Sequence, residues 1–195
     1  MRIRRTGNVV GAVLAGALLA AVSPAFADAQ PSQSSDPAPV AIKDVKSAST
    51  DATSLAAAGW YGIRNVKSAK FLQPSGGSSA NGTEVVQEPF NSSSLTQLWT
   101  PVTDGSYVSE QNYSGRNLGI DGASTSAGAT AIIATGSGDA NQDWVLTARN
   151  STVFELKNRK SGLCLGISGA STASGAVAAQ FACDGSANQG WEYYQ

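Results

Sequence analysis

The chain contains no histidine. That absence removes every Ser-His-Asp or Cys-His catalytic pair and every histidine-ligated metal site. Only two cysteines are present, Cys164 and Cys183, too few for an all-cysteine zinc site. Charge is scarce as well. Asp, Glu, Lys and Arg make up 14% of the residues, and the formal net charge is −1. Without a basic excess to neutralise a phosphate backbone, nucleic acid is not an expected partner. No metal or cofactor is expected either.

Long apolar runs are also missing. The run Val9 to Val22 is shorter than the roughly 18 residues wanted for a membrane span. Basic Arg2, Arg4 and Arg5 precede it, and Ala25-Phe26-Ala27, a small-x-small cleavage pattern, follows. Residues 1–27 therefore read as a secretory signal peptide rather than an anchor, and the expected location is extracellular. Cleavage removes three arginines and no acid, leaving a mildly acidic chain with no membrane attachment. Residues 28–58 are rich in Ala, Ser, Pro and Asp and hold no aromatic residue. Such a stretch buries too little surface to offset its ordering entropy and is expected to be a flexible leader. Aromatics begin at Gly59-Trp60-Tyr61, which places the folded domain at 59–195.

What this domain does have is threefold repetition. Gln-x-Trp occurs at Gln97/Trp99, Gln142/Trp144 and Gln189/Trp191, at steps of 45 and 47. Leu72, Leu118 and Leu165 recur in the same phase. Gly122-Ala-Ser-Thr-Ser-Ala-Gly128 returns as Gly169-Ala-Ser-Thr-Ala-Ser-Gly175, with a worn copy at Gly76 to Gly82. Tyr61, Tyr107 and Phe154 open the three units, at about 59–104, 105–150 and 151–195. Coincident features in one phase mark an internal repeat.

Alternating segments such as Tyr107-Val-Ser-Glu-Gln and Phe154-Glu-Leu-Lys-Asn, separated by Gly, Ser, Asn and Asp clusters, predict about four short strands per repeat. No segment after Gly59 keeps a 3.6-residue apolar period. One such unit cannot bury its apolar face alone, and three units are too few for a propeller. The expected fold is all-β: a closed barrel with pseudo-threefold symmetry, a β-trefoil. Trp99, Trp144 and Trp191 are expected to be structural core, because a buried indole contributes about 2–3 kcal/mol in transfer terms.

The third unit carries Asn158-Arg-Lys-Ser-Gly-Leu-Cys-Leu-Gly-Ile, then Gln180-Phe-Ala-Cys183 and Asn188-Gln-Gly-Trp191. It resembles the ricin-type lectin repeat, and the resemblance extends over Gly59 to Gln195. This implies a β-trefoil and, for the family generally, carbohydrate binding. It also implies a disulfide between Cys164 and Cys183, the reading that export favours over free thiols. Family repeats hold sugar with an Asp after the Cys-Leu pair, an aromatic before the second Cys and an Asn ahead of Gln-x-Trp. By that pattern the third repeat supplies Phe181, Asn188 and Gln189, with Asp184 or Ser168 as replacement hydrogen-bonders. The second supplies Asn141 and Gln142, with Asp121 as a partial substitute. Gly166, Gly119 and Gln73 stand where the family Asp would be, and Pro89 takes the aromatic position of the first repeat.

The expectation is a secreted, monomeric, non-catalytic carbohydrate-binding protein whose best pocket lies in the third repeat. The alternative is a protein-interaction trefoil such as a secreted protease inhibitor, although near-equal repeats leave no long inhibitory loop. A third reading is an accessory module serving a separate hydrolase. The basic group Lys157, Arg159 and Lys160 reads as a solvated edge, and Tyr113 as an exposed aromatic on a turn.

Overall fold

In a computed structural model of the chain, residues 37–45, 48–49 and 59–195 are described. The expected signal peptide lies outside the described residues, as does much of the leader. A two-residue strand, β1 (Ala48–Ser49), comes first. Twelve strands follow, four per repeat. The first repeat holds β2 (Tyr61–Asn65), β3 (Phe71–Pro74), β4 (Thr83–Glu88) and β5 (Leu98–Asp104). The second holds β6 (Tyr107–Asn112), β7 (Asn117–Ile120), β8 (Ala131–Ala134) and β9 (Trp144–Ala148). The third holds β10 (Val153–Asn158), β11 (Cys164–Ile167), β12 (Ala176–Phe181) and β13 (Trp191–Tyr194).

Pairing turns this list into a trefoil. Within each repeat the first strand pairs with the last, through Tyr61↔Trp99, Val108↔Trp144 and Phe154↔Trp191. The last strand of each repeat then pairs with the first of the next, as β5–β6, β9–β10 and β13–β2. Those six strands close a ring. The middle strands form the hairpins β3–β4, β7–β8 and β11–β12. The hairpins meet one another through β4–β8, β4–β12 and the bridge Thr130↔Ala179.

The repeated Gly…Gly motif builds this hairpin triangle. Gly122 and Ala123 both adopt positive φ (55° and 51°), as do Gly169 and Ala170 (61° and 48°), making the tight turn after the third-to-last strand of each unit. Glycine relieves the strain of the first left-handed position. The closing glycines Gly82, Gly128 and Gly175 donate their backbone N–H groups to Ile133, Gln180 and Gln87 of a neighbouring hairpin, at 2.9, 2.7 and 2.9 Å. The motif is thus a joint between repeats.

Trp99, Trp144 and Trp191 are completely buried. Each indole N–H donates to a leucine carbonyl of its own repeat, Leu72, Leu118 or Leu165, at 3.0 Å in all three cases. A second threefold set was not anticipated from the sequence. Asn65, Asn112 and Asn158 are buried, and their side-chain oxygens accept backbone N–H bonds from the turn that follows. Their amide nitrogens donate to the carbonyls of Asn188, Thr96 and Asn141. These asparagines tie each strand end to the Gln-x-Trp turn beside it.

The same register corrects one expectation. Val108, not Tyr107, occupies the slot of Tyr61 and Phe154, because it pairs with Trp144 as they pair with Trp99 and Trp191. Tyr107 lies one residue outside, where the Arg159 guanidinium covers its ring at 4.2 Å. Arg159 also donates to the buried carboxylate of Asp143 at 2.9 Å. Lys157, Arg159 and Lys160 are all exposed, as a solvated edge requires, and Arg159 in addition ties the turn after β10 to the residue before β9. One step further along, Glu110 occupies the core slot that Ile63 and Leu156 fill in the other repeats.

The leader also departs from expectation where it is described. Ala38 and Gln195 exchange backbone hydrogen bonds (3.1 and 3.2 Å), Val40 N–H donates to Tyr193 and Ile42 N–H to Ser151. β1 then runs parallel to β5 through Ala48↔Val102 and Ser49↔Thr103. Val40, Ile42 and Val45 pack against the core. Ile42 and Val45 line a space of about 180 Å³ with Pro101, Val108, Leu146 and Tyr193, drawn from all three repeats. A short alternating apolar segment, Val40-x-Ile42, gains enough contact across the barrel mouth to order itself despite its polar surroundings.

Candidate functional site

The three Gln-x-Trp glutamines share one geometry. Gln97 Nε2 donates to Pro89 O and its Oε1 accepts from Asn91 N–H (2.8 and 3.0 Å). Gln142 bridges Thr135 O and Ser137 N–H (3.0 and 3.3 Å), and Gln189 bridges Ala182 O and Asp184 N–H (2.8 and 3.1 Å). All three are buried. Each amide therefore clamps the loop between the last two strands of its repeat, and both of its ends are committed to backbone.

In the second repeat, Asn141 is buried and donates to Ile120 O at 3.1 Å. Asp121 is exposed and opens the tight turn after β7. Ala134 sits at the aromatic position, and a Cβ added at Gly119 would stand 3.0 Å from Gln142 Cγ. In the third repeat, half-buried Phe181 pairs across the hairpin with Cys164. Asp184, Asn188 and Gln189 share one loop. Ser186 N–H donates to Asp184 Oδ1 (2.8 Å) and Ser186 Oγ to Asn188 Oδ1 (2.6 Å). Those Ser186 bonds hold the exposed Asp184 carboxyl below its ordinary range. Ser168 opens the tight turn after β11. A Cβ at Gly166 would meet Gln189 Cγ at 3.0 Å and Asn188 Nδ2 at 3.3 Å. In both repeats the Gln and Asn side chains therefore rest on the glycine.

The first repeat is built differently. Here Gln73 replaces the glycine, and Gln97 Nε2 donates to Gln73 Oε1 at 3.0 Å. The two amides line a cleft of about 640 Å³ together with Glu88, Phe90 and Asn91. Glu88, not Pro89, holds the register position of Phe181, since it pairs with Phe71 as Phe181 pairs with Cys164. Phe90 is 42% exposed. The cleft thus offers a carboxylate, two side-chain amides and an aromatic face, the group types that planar polar recognition of hydroxyls and stacking on a C–H face require. The sequence concealed it because the loop from Gln87 to Gln97 is one residue longer than its counterparts, from Ile133 to Gln142 and from Gln180 to Gln189. The usable signal was the pair Glu88 and Phe90 around Pro89.

The same register explains the single disulfide. Cys164 and Cys183 are bonded. The positions equivalent to them are Phe71 and Phe90 in the first repeat, whose rings pack with centroids 5.2 Å apart. In the second they are Asn117 and Gly136. One link between hairpin and loop is made covalently, by aromatic packing and by close backbone approach in turn.

Among the described residues there is no group of three or more His, Cys, Asp or Glu that could hold a metal, and no helix is long and apolar enough to cross a membrane. No curated protein sequence matches the chain. Among solved structures, the designed 3-fold symmetric protein ThreeFoil is 31% identical with a TM-score of 0.67, covering 70% of this chain and 98% of its own. The exo-beta-1,3-galactanase 1,3Gal43A from Clostridium thermocellum is also 31% identical, with a TM-score of 0.66, covering 69% of this chain but only 29% of the enzyme. The Macrolepiota procera ricin B-like lectin, solved in complex with lactose, is 22% identical with a TM-score of 0.59, covering 69% of this chain and 94% of the lectin, and shares the fold. The family model of the ricin-type beta-trefoil lectin domain matches residues 59–191, so the chain belongs to the ricin-type β-trefoil lectin family.

Proposed function

We propose that this protein binds carbohydrate without transforming it, and that the first-repeat cleft is its principal site. The observation that carries the reading is the Gln73–Gln97 amide pair sharing a cleft with Glu88 and the exposed face of Phe90. Gln97 is already fixed by its backbone clamp, so it presents Gln73 in a set orientation and little side-chain entropy is lost on binding. Glu88 supplies a carboxyl acceptor for a sugar hydroxyl. It is also the single carboxylate of the cleft lining, whereas glycoside hydrolysis uses a flanking pair. The disulfide supports export to an oxidising compartment.

Titration of immobilised glycans and insoluble polysaccharides tests this. Gln73→Ala and Glu88→Ala should each lower affinity at least tenfold, and unchanged binding in both would remove the cleft from consideration. A second site in the third repeat rests on half-buried Phe181 beside Asn188, whose Nδ2 lies over Gly166. Phe181→Ala reads it in the same assay. Loss of signal in that variant alone would move the principal site there.

A further inference from the structure

Next to the polar cleft lies a second cavity of about 220 Å³ with a different wall. Trp60, Phe71, Phe90, Leu95 and Tyr194 line it. Phe71 is packed by Phe90 at 5.2 Å and edge-on by Tyr194 at 5.6 Å, and its ring lies against Gly62, where any side chain would collide with it at 2.7 Å. The Arg64 guanidinium backs Tyr194 at 4.8 Å. Leu95, 51% exposed, and Phe90 stand at the surface of this region. Neither other repeat has the aromatic pair that anchors it, because Asn117/Gly136 and Cys164/Cys183 hold those positions.

The two cavities share Phe90, Asn91, Ser92 and Gln97, so one ligand can occupy both. A second sugar ring suits the aromatic cavity poorly. Asn91, Ser92, Ser94 and Gln195 also line it, but the wall it exposes is mostly carbon, so most of the hydroxyls of such a ring would be buried without a partner, which is destabilising. The amide of Gln97 is already committed at both ends. An aromatic or alkyl group gains from the same surroundings by leaving water. We infer that the first repeat recognises glycosides carrying an apolar aglycone, with the sugar in the Gln73–Glu88 cleft and the aryl or alkyl group between Trp60, Phe71 and Leu95. This rests on the proposed carbohydrate-binding role of that cleft and narrows its ligand class.

The test pairs the methyl and phenyl β-glycosides of galactose, glucose, N-acetylglucosamine and mannose. Binding is read by calorimetry and by the emission of Trp60, since Trp99, Trp144 and Trp191 are fully buried. The phenyl member of the best pair should bind at least tenfold more tightly than the methyl member and shift Trp60 emission. Leu95→Asp, an exposed position outside the polar cleft, should abolish that difference and leave the methyl glycoside unchanged. Trp60→Ala should do the same in calorimetry. Equal affinities within every pair that binds overturn the inference and leave the carbohydrate-binding reading intact. A preference that survives Leu95→Asp and Trp60→Ala overturns the placement of the aglycone. Failure of all eight compounds to bind overturns the inference together with the reading beneath it.

Discussion

Tyr193 donates its hydroxyl hydrogen to Glu110 Oε1 inside the barrel, where both residues are fully buried. Glu110 occupies a position that is aliphatic in the other two repeats, and its second oxygen, Oε2, has no hydrogen-bond partner. Phe154 stacks on the Tyr193 ring at 4.4 Å and Tyr61 packs against it at 5.5 Å, so the tyrosine cannot turn away. The carboxyl group is therefore held in a dry, aromatic-walled space with one donor.

Burial raises the Glu110 carboxyl from 4.5 to about 7, partly countered by the Tyr193 hydrogen bond. A group with a raised folded-state value stabilises the fold fully below its unfolded value, and that stability is lost as pH climbs through the folded value. The fold should lose about 3 kcal/mol between pH 4.5 and pH 7 from this residue alone, by the 1.36 kcal/mol that accompanies each unit. Glu110→Gln should flatten that slope in chemical denaturation curves taken at pH 5, 6, 7 and 8. A wild-type curve already flat across the range would show that the carboxylate is accommodated.

The Gln-x-Trp glutamines act on the loop before they act on any ligand. Gln189→Ala removes two hydrogen bonds from a side chain that is 1% exposed, and should cost about 2 kcal/mol in urea unfolding. Gln142→Ala should behave alike. A variant that unfolds like the wild type would show that the clamps contribute nothing to the fold.

The Cys164–Cys183 bridge closes a separation of 19 residues, for which chain entropy gives about 3 kcal/mol. Replacing both cysteines by alanine should lower the melting temperature by roughly 10 °C, measured by calorimetry. The first-repeat cleft, fastened by Phe71 and Phe90, should keep its ligand affinity in that variant at temperatures where it remains folded.

Residues 37–45 and β1 cross the barrel mouth, so two truncations should differ. The chain lacking residues 1–36 is the reference. Removal of residues 1–58 also strips Val40, Ile42 and Val45 from the core and should destabilise the barrel by several kcal/mol. It should lower the Glu110 value too, by admitting water toward Tyr193. Matching melting curves for the two truncated chains would deny the segment any role.

Much of the fold was legible because repetition amplifies weak signals. One Gln-x-Trp would have said little, but three in phase fixed the strand count and the positions of the indoles. The asparagine set at 65, 112 and 158 recurs just as regularly, yet asparagine is common in turns and nothing marks it as buried. Tyr107 misled because it is aromatic, while pairing with Trp144 selects its neighbour Val108. Residues 37–45 misled because their few apolar side chains are diluted by the Ala, Ser and Pro around them, and composition averages over them. The first-repeat cleft was masked by a single inserted residue, which moved Glu88 and Phe90 out of apparent alignment.

The reciprocal backbone bonds between Ala38 and Gln195 bring the start of the described segment 37–45 side by side with the C-terminal residue. A short Gly-Ser linker could span them, and the polypeptide could be cut instead at the exposed Gly105–Ser106 tip between β5 and β6. Such a circularly permuted molecule would begin at the second repeat and carry its plug as an internal crossing rather than a leading one.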